Sequence, residues 1–208
     1  VVRLISRPTP QPPEPCLALL DWTSPADPLV LQGDGVRLRL PRWGDYRPWR
    51  DLREQSRGFL QPWEPTWAPD DLSKPAFRRR LAAYRRELDL GEAYAFFIFR
   101  QDDTLVGSLR LSNVRRGVSQ TATLGYWIGE PHKRRGHMSA AVKVALRFAF
   151  GPLGLHRVEA ACIPDNHASA NLLLKAGFDE EGYAQGYLKI NGEWRDHRLF
   201  GIRSRGGM

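Results

Sequence analysis

Residues 129–141, GEPHKRRGHMSAA, set Lys133, Arg134 and Arg135 directly before Gly136, with His132 and His137 on either side. The string follows an alternating apolar segment, TATLGYWIG (121–129), and precedes Met138, Ala141, Val142, Ala145, Leu146 and Ala149, which recur at helical spacing. At such a strand-loop-helix junction the first helical N–H groups have no intrahelical acceptor. Together with the positive end of the helix dipole they make an anion site. Gly136 lets the backbone come close to that anion, because no Cβ stands in the way. The spacing is neither the GxxxxGK[ST] of a phosphate-binding P-loop nor the three-glycine dinucleotide fingerprint, which argues against an ATPase or a Rossmann enzyme. A solvated basic helix entry would carry the same residues, so this loop alone leaves the choice open.

A second cluster, PDNHASAN (164–171), reads as a strand end at Pro164, a cap at Asp165 or Asn166, and a hydroxyl, Ser169, in the first helical turn. A third, FLQPWEPTW (59–67), is a Pro-punctuated aromatic loop carrying Trp63, Glu64 and Trp67.

The elements that must position these clusters follow from periodicity. GVRLRLP (35–41) is a period-two strand, and helices follow over 45–58 and from Ser73 to Gly91. In the second helix Phe77, Leu81, Tyr84 and Leu88 form an inner stripe, which leaves Arg78, Arg79, Arg85 and Arg86 on the wetter side. Strands at 93–100, 104–114 and 121–129 predict an antiparallel meander. A helix over 137–150, a strand over 156–163, a helix over 166–176 and two strands joined at Asn191-Gly192 complete the order. The result is an α+β domain around one mixed sheet, spanning residues 31–208. Seven prolines among the first 28 residues mark residues 1–30 as an extended Pro-rich arm.

With 31 Lys and Arg against 23 Asp and Glu the chain carries a formal net charge of +8, a bias towards anionic partners. Cys16 and Cys162 have no CxxC or His-rich companion, so neither a disulfide framework nor a metal site is expected, and a reducing cytoplasm fits best. The longest apolar run, AYAFFIF, is too short to cross a bilayer.

The segment KRRGHM (133–138) resembles the pyrophosphate loop of the GNAT acetyltransferases, Gln/Arg-x-x-Gly-x-Gly/Ala. The resemblance extends through residues 155–183, where N-x-x-S-x-N is followed by K-x-GF. FLQPWEP, GYWIGE (125–130) and YLKINGEWRDH (187–197) are similar to the RimJ/RimL branch, which acetylates ribosomal protein N-termini. The match covers about residues 35–202. It departs at Lys133, where the pattern has Gln or Arg, and at Met138, where it has Gly or Ala. Both positions act in the family mainly through backbone amides, although a larger side chain at 138 could shift the loop.

What the resemblance implies is a mostly antiparallel mixed sheet, splayed between its fourth and fifth strands, with helices on both faces. It implies acetyl-CoA as cosubstrate and no metal. The cofactor would lie along Trp127 and Ile128, on Lys133, Arg134, Arg135, Gly136, His137, Met138 and Ser139, and against Asn166 and Asn171. Ser169 matches the general acid of RimL-like enzymes. The tyrosine used as acid elsewhere in the family would fall at Leu173, and a glutamate proposed as base would fall at Leu188, so neither serves here. Glu130, Glu159 or a water chain remain for the base. Trp63, Glu64, Trp67 and Tyr187 would wall the acceptor slot, with Glu64 holding the ammonium. The expected partner is a protein N-terminus, by resemblance a ribosomal one, with Arg78, Arg79, Arg85 and Arg86 able to face ribosomal RNA. The chain would act as a cytoplasmic monomer or homodimer with no membrane partner. Two other readings stay open: an enzyme acetylating a small amine such as a polyamine, amino acid or antibiotic, and a non-enzymatic RNA-binding module, against which the lack of an RNP-type aromatic pattern counts.

Overall fold

The computed structural model describes residues 29–204. The Pro-rich arm assigned to residues 1–30 lies almost wholly outside the described residues. Folded structure begins one strand earlier than the periodicity suggests. Strands β1 (Val30–Gly33) and β2 (Val36–Arg39) form a hairpin whose loop residues, Asp34 and Gly35, both have positive φ (50° and 80°). That is the geometry a two-residue hairpin turn demands. The Asp-Gly signal was masked because β1 has four residues and only two large apolar side chains, too few to show an alternation.

The chain then turns at Asp45, whose buried carboxylate accepts from both arms of Arg39 (2.8 and 2.7 Å) and from the Arg42 amide (2.7 Å). This ties the start of helix α1 (Tyr46–Gln55) to β2. A short turn of helix, α2 (Arg57–Leu60), and the aromatic loop lead to α3 (Lys74–Asp89). Ser73 caps α3 by accepting from the Ala76 amide (3.2 Å), and Gly91, at φ 68°, follows its end. Strands β3 (Tyr94–Arg100), β4 (Leu105–Arg115) and β5 (Thr121–Ile128) form the meander. Helix α4 (His137–Phe150), strand β6 (Arg157–Cys162), helix α5 (His167–Lys175) and the hairpin of β7 (Asp179–Ile190) with β8 (Glu193–Arg203) follow.

The described residues form one eight-stranded sheet in the order β1-β2-β3-β4-β5-β6-β8-β7. Every pairing is antiparallel except β5 with β6, which must be parallel because α4 crosses over between them. Helices cover both faces. Val142, Ala145 and Leu146 of α4 pack with Phe96, Ile98, Leu109 and Leu111 in the larger core. Tyr46, Trp49 and Leu52 of α1 and Phe77 of α3 pack with Phe97, Phe99 and Leu105 on the other face. Alternate residues of β3 therefore enter different cores, which is why AYAFFIF is apolar without alternation. Among the described residues no helix is long and apolar enough to cross a membrane.

β5 and β6 pair over only three positions, Thr121 with Arg157, Ala122 with Val158 and Thr123 with Glu159. Beyond Thr123 the two strands part and leave a wedge. Counting the extra first strand, this is the splay expected between the fourth and fifth strands.

Candidate active site

The basic loop closes the upper end of β5. A short 3-10 turn, Glu130–His132, leads into it, and α4 starts at His137 with Gly136 in the N-cap position. Two residues here are left-handed, Arg134 (φ 60°) and Gly136 (φ 82°). That alternation turns successive amides towards one concavity. The first amide of this stretch with an internal partner is Ala140, which donates to the Gly136 carbonyl (3.0 Å). No described acceptor takes the amides of residues 134–139. Met138 sends its side chain into the larger core, where it is 6% exposed, so its size does not intrude on the loop. Lys133 is held by Glu130 (2.8 Å) and lies over Phe59, whereas Arg134 and Arg135 are exposed. The loop is anchored from α1: the Ser56 hydroxyl, fully buried, accepts from the Glu130 amide (2.9 Å), and a Cβ on Gly129 would run into Leu52.

Across the wedge, Asn166 caps α5 by accepting from the Ser169 amide (3.0 Å). The Ser169 hydroxyl lies 2.8 Å from the Tyr126 hydroxyl of β5. Burial pushes the Tyr126 phenol up to about 12, against the opposing pull of its bond to Ser169, so it stays protonated near neutral pH. The buried Cys162 thiol at the end of β6 also contacts Ser169, and burial raises its pKa. Asn171 is exposed on α5. Leu173 is fully buried core and Leu188 is exposed on β7, so neither offers acid-base chemistry.

On the other face of the sheet a cavity of about 450 Å³ opens among α1, α3, the aromatic loop and β3–β5. Arg53 organises it. The residue is buried, and its guanidinium makes two 2.7 Å bonds to Glu64 and lies between the rings of Trp67 (4.0 Å) and Trp127 (4.9 Å). Trp67 donates its indole N–H to Glu64 (2.8 Å), and the Glu64 carbonyl accepts from Asn191 (2.9 Å), which joins the aromatic loop to the β7–β8 hairpin.

Glu64 and Trp67 thus line the cavity, but Glu64 is not a free anchor for an ammonium, because Arg53 already occupies both of its oxygens. Trp63 is half-buried and outside the lining. Tyr187 is also outside it, exposed with its ring edge-on to His197. Neither carboxylate considered as base lines the cavity. Glu130 is paired with Lys133 at the loop, and Glu159 bonds Arg157 (3.0 Å) at the point where the wedge opens. Arg53, Arg80, Arg110 and Tyr126 were not singled out by motif. For Ser108 and Arg110 a signal was available, polar positions two apart in the apolar first half of β4, and Arg53 lies one helical turn after Trp49.

The family described as "Acetyltransferase (GNAT) domain" matches residues 36–179. The chain is 36% identical over 174 residues to the probable N-acetyltransferase YjcK of Bacillus subtilis, covering 83% of this chain and 96% of that one. It is 36% identical over 158 residues to the [ribosomal protein uS5]-alanine N-acetyltransferase of Escherichia coli, covering 74% and 81%. The structure of Mycobacterium smegmatis RimJ in complex with CoA-disulfide superposes with a TM-score of 0.79 at 32% identity, covering 84% of this chain and 86% of that one. These matches show that the chain belongs to the GNAT family as an acetyl-CoA-dependent N-acetyltransferase.

Proposed function

We propose that the acceptor amine is the N-terminal α-amine of a protein, a ribosomal one, and that it enters through the cavity between α1, α3 and the aromatic loop. The observation that carries this reading is the charge of the cavity. Its lining holds two carboxylates, Glu64 and Asp71, each already paired with an arginine (Arg53 and Arg80), and a third arginine, Arg110, whose partner Glu87 stands outside the lining. A polyamine needs free carboxylates, and this wall offers none. The same cationic surroundings lower the pKa of an incoming amine. An α-amine starts near 7.7–8.0 and is readily neutral there, whereas a lysine-like amine starts near 10.4. This suits transfer without a dedicated carboxylate base, with water carrying the amine's proton away. The names of the relatives, which act on ribosomal protein alanine or serine, support the same choice.

In this reading the amides of residues 134–139 and the cations Arg134 and Arg135 bind the pyrophosphate of acetyl-CoA, and the pantetheine arm lies in the wedge. A backbone N–H at Trp127 or Ile128 polarises the thioester carbonyl. Ser169, in the first turn of α5, gives a proton to the departing sulfur, and the helix dipole favours the charge that develops there. The test is thiol release over a panel of Ala- and Ser-starting peptides and polyamines. Turnover on peptides and not on spermidine is expected; the reverse overturns the acceptor assignment.

The loop histidines add a second check. Burial, and then Arg135 for His132 and Arg100 for His137, hold both imidazoles below the usual range; Asp102 opposes weakly in each case. A bound pyrophosphate pushes the other way, so the complex binds more protons than the free protein at pH values near and below 6.5. Affinity for CoA should therefore rise as pH falls from 7.5 to 5.5, with proton uptake seen by calorimetry in buffers of different ionisation heat. Binding without proton uptake would place the phosphates away from these histidines.

A further inference from the structure

Arg110 lies on β4 directly across from Gly125 of β5. Gly125 has open space where a side chain would stand, so the cavity reaches down to the sheet at this point. The Arg110 guanidinium lies 5.7 Å from the Tyr84 ring centroid and 2.8 Å from Glu87, a carboxylate outside the cavity lining. Its Nε is buried with no acceptor. Arg80, on α3, bonds Asp71 through one arm (2.9 Å), and its Nε is also buried with no acceptor. The lining therefore holds Arg53, Arg80 and Arg110 against Glu64 and Asp71; Glu87, outside the lining, meets Arg110 through one arm and leaves the Arg110 side chain 39% exposed.

Position sets what could meet the exposed part of that guanidinium. Arg110 stands two residues along β4 from Ser108, which pairs with Trp127 at the wedge. Two residues of strand are about 7 Å. An extended acceptor chain covers about 3.3–3.6 Å per residue, so the same distance is two residues behind its amine. We infer that the Arg80–Arg110 end of the cavity takes a carboxylate of the acceptor, an acidic side chain at the second or third residue of the peptide. This rests on the α-amine reading above. A carboxylate at that distance could also be the terminal carboxylate of a dipeptide-sized acceptor.

The test is steady-state kinetics on amidated tetrapeptides beginning with Ala or Ser and carrying Asp, Asn or Lys at the second or third position. A dipeptide is included both as free acid and as amide. The Asp peptides should exceed their Asn counterparts in kcat/KM by about tenfold or more, the scale of one charge-assisted hydrogen bond. Lys peptides should be poorer still. The Asp-over-Asn ratio should fall towards one in Arg110→Gln, and in Arg80→Gln should Arg110→Gln fail to fold. A rise confined to the dipeptide free acid would assign the carboxylate to a small acceptor. Equal rates on Asp and Asn peptides, or a ratio unchanged in both variants, overturn the inference while leaving the α-amine reading intact. Turnover on spermidine alone overturns both.

Discussion

Replacing Ser169 by alanine is expected to lower kcat by about 10²-fold, the usual weight of a positioned acid, while acetyl-CoA affinity by calorimetric titration stays the same. The start of α5 does not depend on the hydroxyl, because Asn166 caps the helix through the Ser169 backbone amide. Folding should survive the change. The hydroxyl itself is committed to Tyr126, at 2.8 Å. That phenol keeps its proton up to about 12, so once the serine gives its own proton to the sulfur the phenol stands ready to donate to the serine oxygen. Tyr126→Phe should therefore also slow turnover, by about tenfold, and add little once Ser169 is already alanine. Because Tyr126 titrates so high, the wild-type rate should show no tyrosine limb below pH 11 or so. Unchanged turnover in Ser169→Ala would remove the acid assignment. Independent, multiplying effects of the two variants would leave Ser169 as acid and make Tyr126 a packing residue.

Arg53→Met should destabilise the protein by about 3 kcal/mol, since removing one partner of a buried ion pair strands the other. Both side chains are well covered, at 8% and 19% exposure, and the Glu64 carboxylate would keep only the Trp67 N–H. For a chain of this size the loss corresponds to a fall in Tm of about 6–12 °C by thermal unfolding. The functional consequence should be selective. Arg53 holds Glu64, Trp67 and through them the hairpin at Asn191, so KM for the acceptor should rise while acetyl-CoA affinity holds. Adding Glu64→Gln should recover much of the stability, because the stranded charge is then gone. Weakened acetyl-CoA binding in Arg53→Met would instead show that α1 transmits the loss through Ser56 to the basic loop.

These two sites differ in how far the chain announces them. Ser169 sits in a local pattern: a proline that ends a strand, a capping asparagine and a hydroxyl three residues on. The loop at Gly136 is equally local, since a strand end, a glycine and a helix start must expose amides wherever they occur. The boundaries of α3 at Ser73 and Gly91, the span of α4 and the Asn191-Gly192 turn, with φ of 46° and 89°, are of the same kind. Each is decided by backbone preferences of a few adjacent residues. The opening hairpin was missed by the same logic, because β1 is held by pairing with β2 and by α4 packing against it, and carries little pattern of its own.

The sequence by itself determined the order of the strands and longer helices from β2 onward, the glycine turn into α4 and the capped start of α5 at Asn166, because turn, cap and periodicity signals act over a handful of residues. Only the tertiary structure decided which charges are available in the cavity between α1, α3 and the aromatic loop. Glu64 reads as a free carboxylate until Arg53, eleven positions away, is brought against both its oxygens. Tyr126 reads as one more strand residue until α5 sets Ser169 against it across 43 positions. A charge's partners and a hydroxyl's direction are properties of contacts between elements, and those contacts exist only once the sheet has splayed and both faces have been covered.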